Sequence, residues 1–361
     1  MSDSVLGWAA GFATPHPVAL AEPFGGGHVN KTFLVTDEAG GRYILQSVNA
    51  KAFSNPSDVM DNIVKVTTLI GRQVSDPRRR LTLVPTRDGG WWLGGPVGQC
   101  WRMYQYVDNT TELTPPVTEA EFAAVGKAFG EFLVQVSAIP GDQLHVTIEA
   151  FHDEPRYVAK LKRAVAADPV GRVHEMGAEI ERALAFETIS HDFDGTAMPL
   201  RVTHNDAKVS NVLFDANTRE PLCVVDLDTV QPGYAVNDFG DAIRSGATSV
   251  SENEPDFGLV RFLPELFVAF TRGYLGACGA VLDESELASL ARGARLMTLE
   301  TTLRFLTDYI EGDVYYKISY ETQNRDRARN QLALLEDMQQ QWSLMNQLVE
   351  ESVSRLLDSI G

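Results

Sequence analysis

The stretch from Val202 to Thr229 constrains this chain more than any other, because it sets carboxylates and an amide at fixed intervals along a loop, a strand, a turn and a second strand. Val202 and Thr203 lead into His204, Asp206 and Asn211, and the apolar run Val212-Leu213-Phe214 follows. A polar turn then covers Asp215 to Glu220, and Leu222 to Val225 runs on to Asp226. Short apolar runs bounded by polar turn residues read as a pair of strands.

These intervals suit one chemistry. Phosphoryl transfer asks the protein for charge placed around a loose transition state and for little covalent work. Asp206 is expected beside an acceptor hydroxyl, as its base. Asn211 offers an amide oxygen to a metal from the same loop, and Asp226 offers a carboxylate that bridges metal and phosphates from the end of the next strand. Magnesium takes hard oxygen ligands and keeps waters and phosphate oxygens in its shell, so two protein ligands suffice. An isolated D-x-x-x-x-N is usually a turn in which both side chains cap backbone groups. The join to His204, to the hairpin and to Asp226 is what points to phosphoryl transfer. His204 is expected to pack beneath the loop and bond its backbone.

A second acidic motif, Asp238-Phe239-Gly240, competes for the metal role. Gln231-Pro232-Gly233 before it is a turn signal, and Asp238 to Arg244 reads as the opening of a helix, so the metal carboxylate is assigned to Asp226. Asp228 points to the same side as Asp226 if the strand continues, where it would order water or touch the acceptor.

Residues 19 to about 107 read as a small β-rich lobe. Alternation over His28 to Val35, a turn at Glu38 to Gly41 and the run Arg42 to Val48 predict a hairpin, and Val59, Ile63, Val66 and Ile70 predict a helix face. Leu81 to Pro85, Trp91 to Leu93 and Cys100 to Val107 read as further strands. The polar run Asp108 to Thr111 is the expected hinge, dividing residues 1–107 from 108–361. The remainder reads as helical apart from the hairpins. Thr118 and Glu121 form a capping box, and Gln331 to Ile360 predicts one long amphipathic helix. The acidic run Ser251 to Asp256 reads as a solvated connection.

Between the first two strands lies Phe24-Gly25-Gly26-Gly27-His28, where backbone N–H groups can approach phosphates. Kinases place a lysine on the third strand and pair it with a glutamate of the next helix. Here Gln46 occupies the lysine position, and Val64 and Lys65 stand where the glutamate would be. The missing charge is expected from another base such as Lys51 or Lys208. On the acceptor side, Arg304 to Tyr316 is dense in long polar and aromatic side chains, and Arg304 and Asp308 share a helical face on which they can bond each other or a ligand.

Taken with PFGGGHVNKTFLVT, RYILQSVN, WRMYQYV, FHDEPRY, NDFGDAIRSGA and LRFLTDYIEGDVYY, these motifs resemble the aminoglycoside phosphotransferase and choline kinase branch of the protein-kinase-like superfamily. Within that branch the chain is most similar to the N-acetylhexosamine 1-kinases, over residues 22 to 316. The resemblance implies an α+β bilobal fold, with a small antiparallel N-lobe sheet and a larger, mostly helical C-lobe. It implies ATP- and Mg2+-dependent phosphorylation of the anomeric hydroxyl of N-acetylglucosamine or N-acetylgalactosamine. It places adenine against Gln105, Tyr106 and Val107, and the phosphates near Gly25, Gly26, Gly27 and Gln46. The sugar would meet His28, Asn30, Asp228, Arg304 and Tyr315, and Asp238 would brace the catalytic loop. The family also has glutamine at the position of Gln46, which is compatible with activity. The alternatives are a kinase of another small alcohol, such as an aminoglycoside or amino alcohol, and a silent nucleotide-binding regulator suggested by Gln46.

A formal charge of −18 opposes nucleic acid or an anionic membrane as partner, while an acidic surface would suit a cationic acceptor. Three widely spaced cysteines in apolar contexts predict neither a disulfide framework nor zinc, and point to a reducing cytoplasm. The N-terminal stretch reads as a helix without a basic leader, and no apolar run approaches the roughly twenty residues of a membrane span.

Overall fold

The computed structural model describes residues 5–25, 30–50, 52–95, 99–191 and 198–360. A short helix α1 (Val5–Ala9) precedes strands β1 (Val18–Pro23), β2 (Lys31–Asp37) and β3 (Arg42–Val48). Helix α2 (Pro56–Gln73) follows, then β4 (Leu93–Gly94) and β5 (Cys100–Gln105), and the five strands form one antiparallel sheet in the order β1-β2-β3-β5-β4. Alternation sends side chains to both faces. Val35, Leu45, Trp101 and Met103 bury with Ala9 and Phe12 on one side, and Val48, Cys100 and Tyr104 bury with Met60, Ile63 and Val66 of α2 on the other. The register sets Thr32 opposite Gln46, and Gln46 opposite Arg102.

Leu81 to Pro85 forms no strand of its own. It runs beside β5 through Val84 N–H to the Met103 carbonyl (2.8 Å) and Gln105 N–H to the Thr82 carbonyl (2.9 Å). The expected hinge is also shorter than its polarity suggests. Thr110 and Thr111 begin β6 (Thr110–Glu112), which pairs with the later strand Val212–Asp215, so of the four polar residues Asp108 and Asn109 lie outside strands.

Helix α3 (Glu119–Val136) starts at the expected capping box, with Thr118 and Glu121 each bonding the other's backbone N–H. Then come α4 (Glu154–Ala167), α5 (Gly177–Ala185) and α6 (Glu187–His191), strand β7 (Arg201–Thr203), and the hairpin β8 (Val212–Asp215) and β9 (Pro221–Val224). Strand β10 (Gln231–Gly233) pairs with β7, and the chain continues through α7 (Ala235–Gly246), α8 (Pro264–Cys278), α9 (Glu284–Glu311), α10 (Gln323–Gln340) and α11 (Trp342–Ile360). The architecture is α+β, an antiparallel sheet followed by a mostly helical part.

The largest apolar cluster packs Phe122, Phe129, Phe239, Phe267 and Phe270 from α3, α7 and α8. Helices α7 and α9 meet backbone to backbone. A Cβ on Gly240 would stand 2.2 Å from the Gly293 carbonyl oxygen, and one on Gly293 would stand 2.3 Å from the Val236 oxygen.

The expected single C-terminal helix is two. The chain turns at Gln341, whose N–H returns to the Asp337 carbonyl, because α10 packs on α9 whereas α11 packs on α8. The acidic connection is likewise anchored: Glu252 pairs with buried Arg244 at 2.7 Å, and Asn253 accepts from Arg327 at the same distance. The three cysteines are buried and free. No helix among the described residues is long and apolar enough to cross a membrane.

Candidate active site

The loop between β7 and β8 is held from beneath. Asp238, in the first turn of α7, accepts one hydrogen bond on each carboxylate oxygen, from the backbone N–H groups of His204 and Asn205, both at 2.7 Å. His204 has no exposed surface and lies edge-on to Phe129 and Phe132. Its Nε2 bonds the Val225 carbonyl (2.9 Å) and its Nδ1 faces the Asp206 N–H (3.3 Å). A carbonyl only accepts, so the ring proton sits on Nε2 and Nδ1 receives the amide. His204 and Asp238 therefore shape the loop from its buried side.

On the cleft side, Asp206 meets the Lys208 ammonium at 3.1 Å. Asn211 donates its amide N–H groups to the Asp206 carbonyl (2.7 Å) and the Asp206 carboxylate (3.1 Å). Burial acts to raise the Asp206 carboxyl, but the surrounding positive groups, Lys208 first among them, together outweigh it and hold the group below the usual carboxylate range, so it is ionised and able to accept a proton. Because the Asn211 nitrogen is engaged, its oxygen is the atom left to bind a cation.

Asp226 does not end a strand. Strand β9 stops at Val224, Asp226 takes a left-handed conformation (φ 62°), and Leu227–Thr229 forms a 3-10 turn that buries Leu227 beneath α2. Asp228 thus does not share a strand face with Asp226. Loss of water at the cleft floor, with the Asp228 and Asp206 carboxylates nearby, pushes the Asp226 carboxyl up to about 6. Three carboxylates facing fewer cations, beside a free amide oxygen, fit a divalent ion held by Asn211 and Asp226.

These groups open on a cleft of about 520 Å³, within the size range of small-molecule sites. Asp206, Asn211 and Asp226 reach it from the segments flanking β8 and β9, Gln46 from β3, Gly25 and Asn30 from the ends of the β1–β2 connection, and Gln105, Tyr106 and Val107 from the end of β5 and the residues after it. Gly26, Gly27, His28 and Lys51 fall outside the described residues.

Arg304 and Tyr315 do not line this cleft; they lie together in an arginine–aromatic cluster. Arg304 bonds Glu300, one turn before it (3.1 Å), and not Asp308. Asp308 is occupied elsewhere: its carboxylate accepts the backbone N–H groups of Val314, Tyr315 and Tyr316 at 2.8–3.0 Å, fixing the loop after α9. The Arg304 guanidinium lies 5.5–5.8 Å from the ring centres of Phe151, Tyr157, Tyr315 and Tyr316. Its partner Glu300 also bonds His152 Nδ1 (2.9 Å), and His152 Nε2 bonds the Asn205 carbonyl (3.2 Å). A buried chain of polar groups thereby joins the arginine–aromatic cluster to the residue before Asp206. Sequence reasoning missed His152 and Glu300. The available signal was Glu300 one helical turn before Arg304 in an otherwise uncharged stretch.

That chain predicts a pH dependence. Burial disfavours the His152 cation, but the carboxylates around it, Glu300 first among them, together outweigh it and raise the ring from 6.5 to about 9. The folded protein then binds the proton more tightly than the unfolded chain does. The resulting stability is fully present below pH 6.5 and is lost as pH rises through about 9. Melting temperatures of the wild type should fall across this window, and His152→Gln should flatten that part of the profile. Parallel profiles would remove the His152–Glu300 pair as the cause.

The sequence pattern of the phosphotransferase enzyme family matches residues 21–284. Among solved structures, the chain is similar to a microcompartment-associated aminopropanol kinase, with a TM-score of 0.60 and 17% identity over 94% of this chain and 97% of that one. An amicoumacin kinase in complex with AMP-PNP and Ca2+ matches with a TM-score of 0.62 and 15% identity over 91% and 92%. A spectinomycin phosphotransferase in complex with ADP and spectinomycin gives 0.58 and 13% over 90% and 93%. At these identities the likeness is one of fold.

Proposed function

Because the chain belongs to the phosphotransferase enzyme family, we propose that it transfers the terminal phosphoryl group of ATP to the anomeric hydroxyl of an N-acetylhexosamine, in a Mg2+-dependent reaction. Asp206 orients the acceptor hydroxyl and takes its proton as the bond to phosphorus forms. Lys208, beside it, places positive charge where phosphoryl oxygens gather. Asn211 and Asp226 would hold the metal, which when bound neutralises charge on the phosphates. Gly25 and the segment Gln105–Val107 position the nucleotide, and Asn30 and Asp228 lie between the sheet and the acceptor.

The observation that carries the acceptor class is Arg304. Its guanidinium already stands among the four rings, so a cationic amino alcohol or aminoglycoside approaching this cluster would meet a like charge. A neutral pyranose, with one apolar face and a rim of hydroxyls, suits an exposed ring beside an arginine. Tyr315, 60% exposed, is that ring. The named relatives act on amino alcohols and antibiotics, and the chain's net negative charge would favour such cations at long range, so the substrate must be tested directly.

A panel of N-acetylhexosamines, hexoses, aminoglycosides and amino alcohols with ATP and Mg2+, with the phosphorylated position identified by NMR, tests this reading. Phosphate at the anomeric position of N-acetylglucosamine or N-acetylgalactosamine is expected. Transfer to the cationic acceptors alone would replace the sugar assignment. Arg304→Ala should raise the KM for the sugar about tenfold or more, as expected for losing a charged hydrogen bond, and leave the KM for ATP nearly unchanged. Equal effects on both constants would remove Arg304 from the acceptor site.

A further inference from the structure

We infer that Arg102 is the cation that meets the nucleotide phosphates, in the place a third-strand lysine takes in other kinase-like sites, with Gln46 as its holder and Asp228 as its counter-charge. The inference rests on the reading of the cleft as a nucleoside triphosphate site.

Gln46 is engaged at both ends of its amide and brings no charge. Its oxygen accepts both Nε and Nη2 of Arg102, at 3.0 and 2.8 Å, and its nitrogen donates to Thr32 Oγ1 at 3.2 Å. The three residues are cross-strand neighbours on β2, β3 and β5, so strand register creates the contact. The position that would carry the lysine instead fixes the guanidinium of the next strand.

The counter-charge has moved as well. Arg102 Nη1 pairs with an oxygen of Asp228, and the other Asp228 oxygen accepts from the side-chain amide of Asn30. The Asn30 oxygen in turn accepts the Asn49 backbone N–H at 3.0 Å, which ties the end of the glycine loop to the end of β3. Arg102 is 1% exposed and Asp228 4% exposed, so neither charge is balanced by bulk water. Both Arg102 and Gln46 line the nucleotide cleft with Asp226. A guanidinium has five N–H groups, of which two are donated to Gln46. Nη1, although in ion-pair contact with Asp228, is buried without a hydrogen-bond partner, and a phosphate oxygen entering the cleft that Arg102 lines would supply one.

The usual lysine–glutamate pair links a strand to the neighbouring helix. Here the pair links β5 to the turn that follows Asp226. The sheet that covers the phosphates and the turn that holds the metal carboxylate therefore share one buried ion pair.

The test is calorimetric binding of adenosine, ADP and ATP, without acceptor, to the wild type, Arg102→Met, the charge-free pair Arg102→Met/Asp228→Asn, and the exchange Gln46→Lys/Arg102→Met. Loss of Arg102 should weaken ADP and ATP about tenfold or more and leave adenosine unchanged. The charge-free pair, which leaves no unpaired buried carboxylate, should fold and show the same selective loss. Returning the cation to β3 in the exchange variant should recover most of the ADP affinity. Equal losses for adenosine and ADP, unchanged ADP affinity in the charge-free pair, or no recovery in the exchange would overturn the assignment. A wild type that binds none of the three overturns the nucleotide reading itself, and this inference with it.

Discussion

Asp206→Asn is expected to lower turnover about a hundredfold or more while nucleotide affinity and melting temperature stay close to wild type. Asparagine has nearly the same shape as aspartate and can keep the contact with Asn211, now 3.1 Å. It cannot accept the proton of the attacking hydroxyl, and a positioned base contributes about 10²–10⁴-fold. Lys208 loses its 3.1 Å partner and becomes free to pair with phosphate, so nucleotide binding has no reason to weaken. Retention of most of the activity, with folding intact, would exclude Asp206 as the base.

The second large effect separates two aspartates that share similar local sequence. Asp238→Ala strips the acceptor from two buried backbone N–H groups, each orphan costing about 1–3 kcal/mol. A loss of about 2–6 kcal/mol and a correspondingly lower melting temperature are expected. Asn205 adds to this, because it is held at a φ of 61° by the same network. Asp226→Asn should do the reverse. The amide keeps the left-handed backbone that asparagine tolerates, so the protein should fold, yet turnover and metal-dependent nucleotide binding should vanish. Thermal melts beside calorimetry with and without Mg2+ distinguish the two. If Asp238→Ala melts like the wild type but loses its metal response, the aspartates have been assigned in the wrong order.

The β2–β3 hairpin, the β8–β9 hairpin and the helical setting of Asp238 were readable from local signals, alternation and turn residues, whereas Gln231-Pro232-Gly233, expected as a turn, is strand β10 because it pairs with β7. The misreadings share a different origin. Arg304 is expected to face Asp308, and nothing local marks Glu300, at the same spacing one turn before, as its partner. Only the folded loop, which claims Asp308 for three backbone N–H groups, decides it. Gln46 looked like a deficit because its partner is 56 residues away on another strand. Asp226 and Asp228 were placed on one strand face because nothing local announced that the chain would twist to bury Leu227. The C-terminal helix broke for a similar reason, since its two halves answer to different neighbours.

The backbone contact between Gly240 and Gly293 has a bearing on how acceptor preference can change. Helix α7 carries Asp238, which bonds the backbone of the loop that bears Asp206, and α9 carries Glu300 and Arg304, proposed above to face the acceptor. A Cβ on either glycine would meet the backbone of the other helix, so the spacing between the Asp206 loop and Arg304 is set by a backbone contact. On the proposed acceptor assignment, larger or smaller acceptors would be accommodated by the loops at the rim, such as the one after α9 that bears Tyr315. A methyl group at either glycine would open that spacing and uncouple the base from its substrate without altering any residue that touches it.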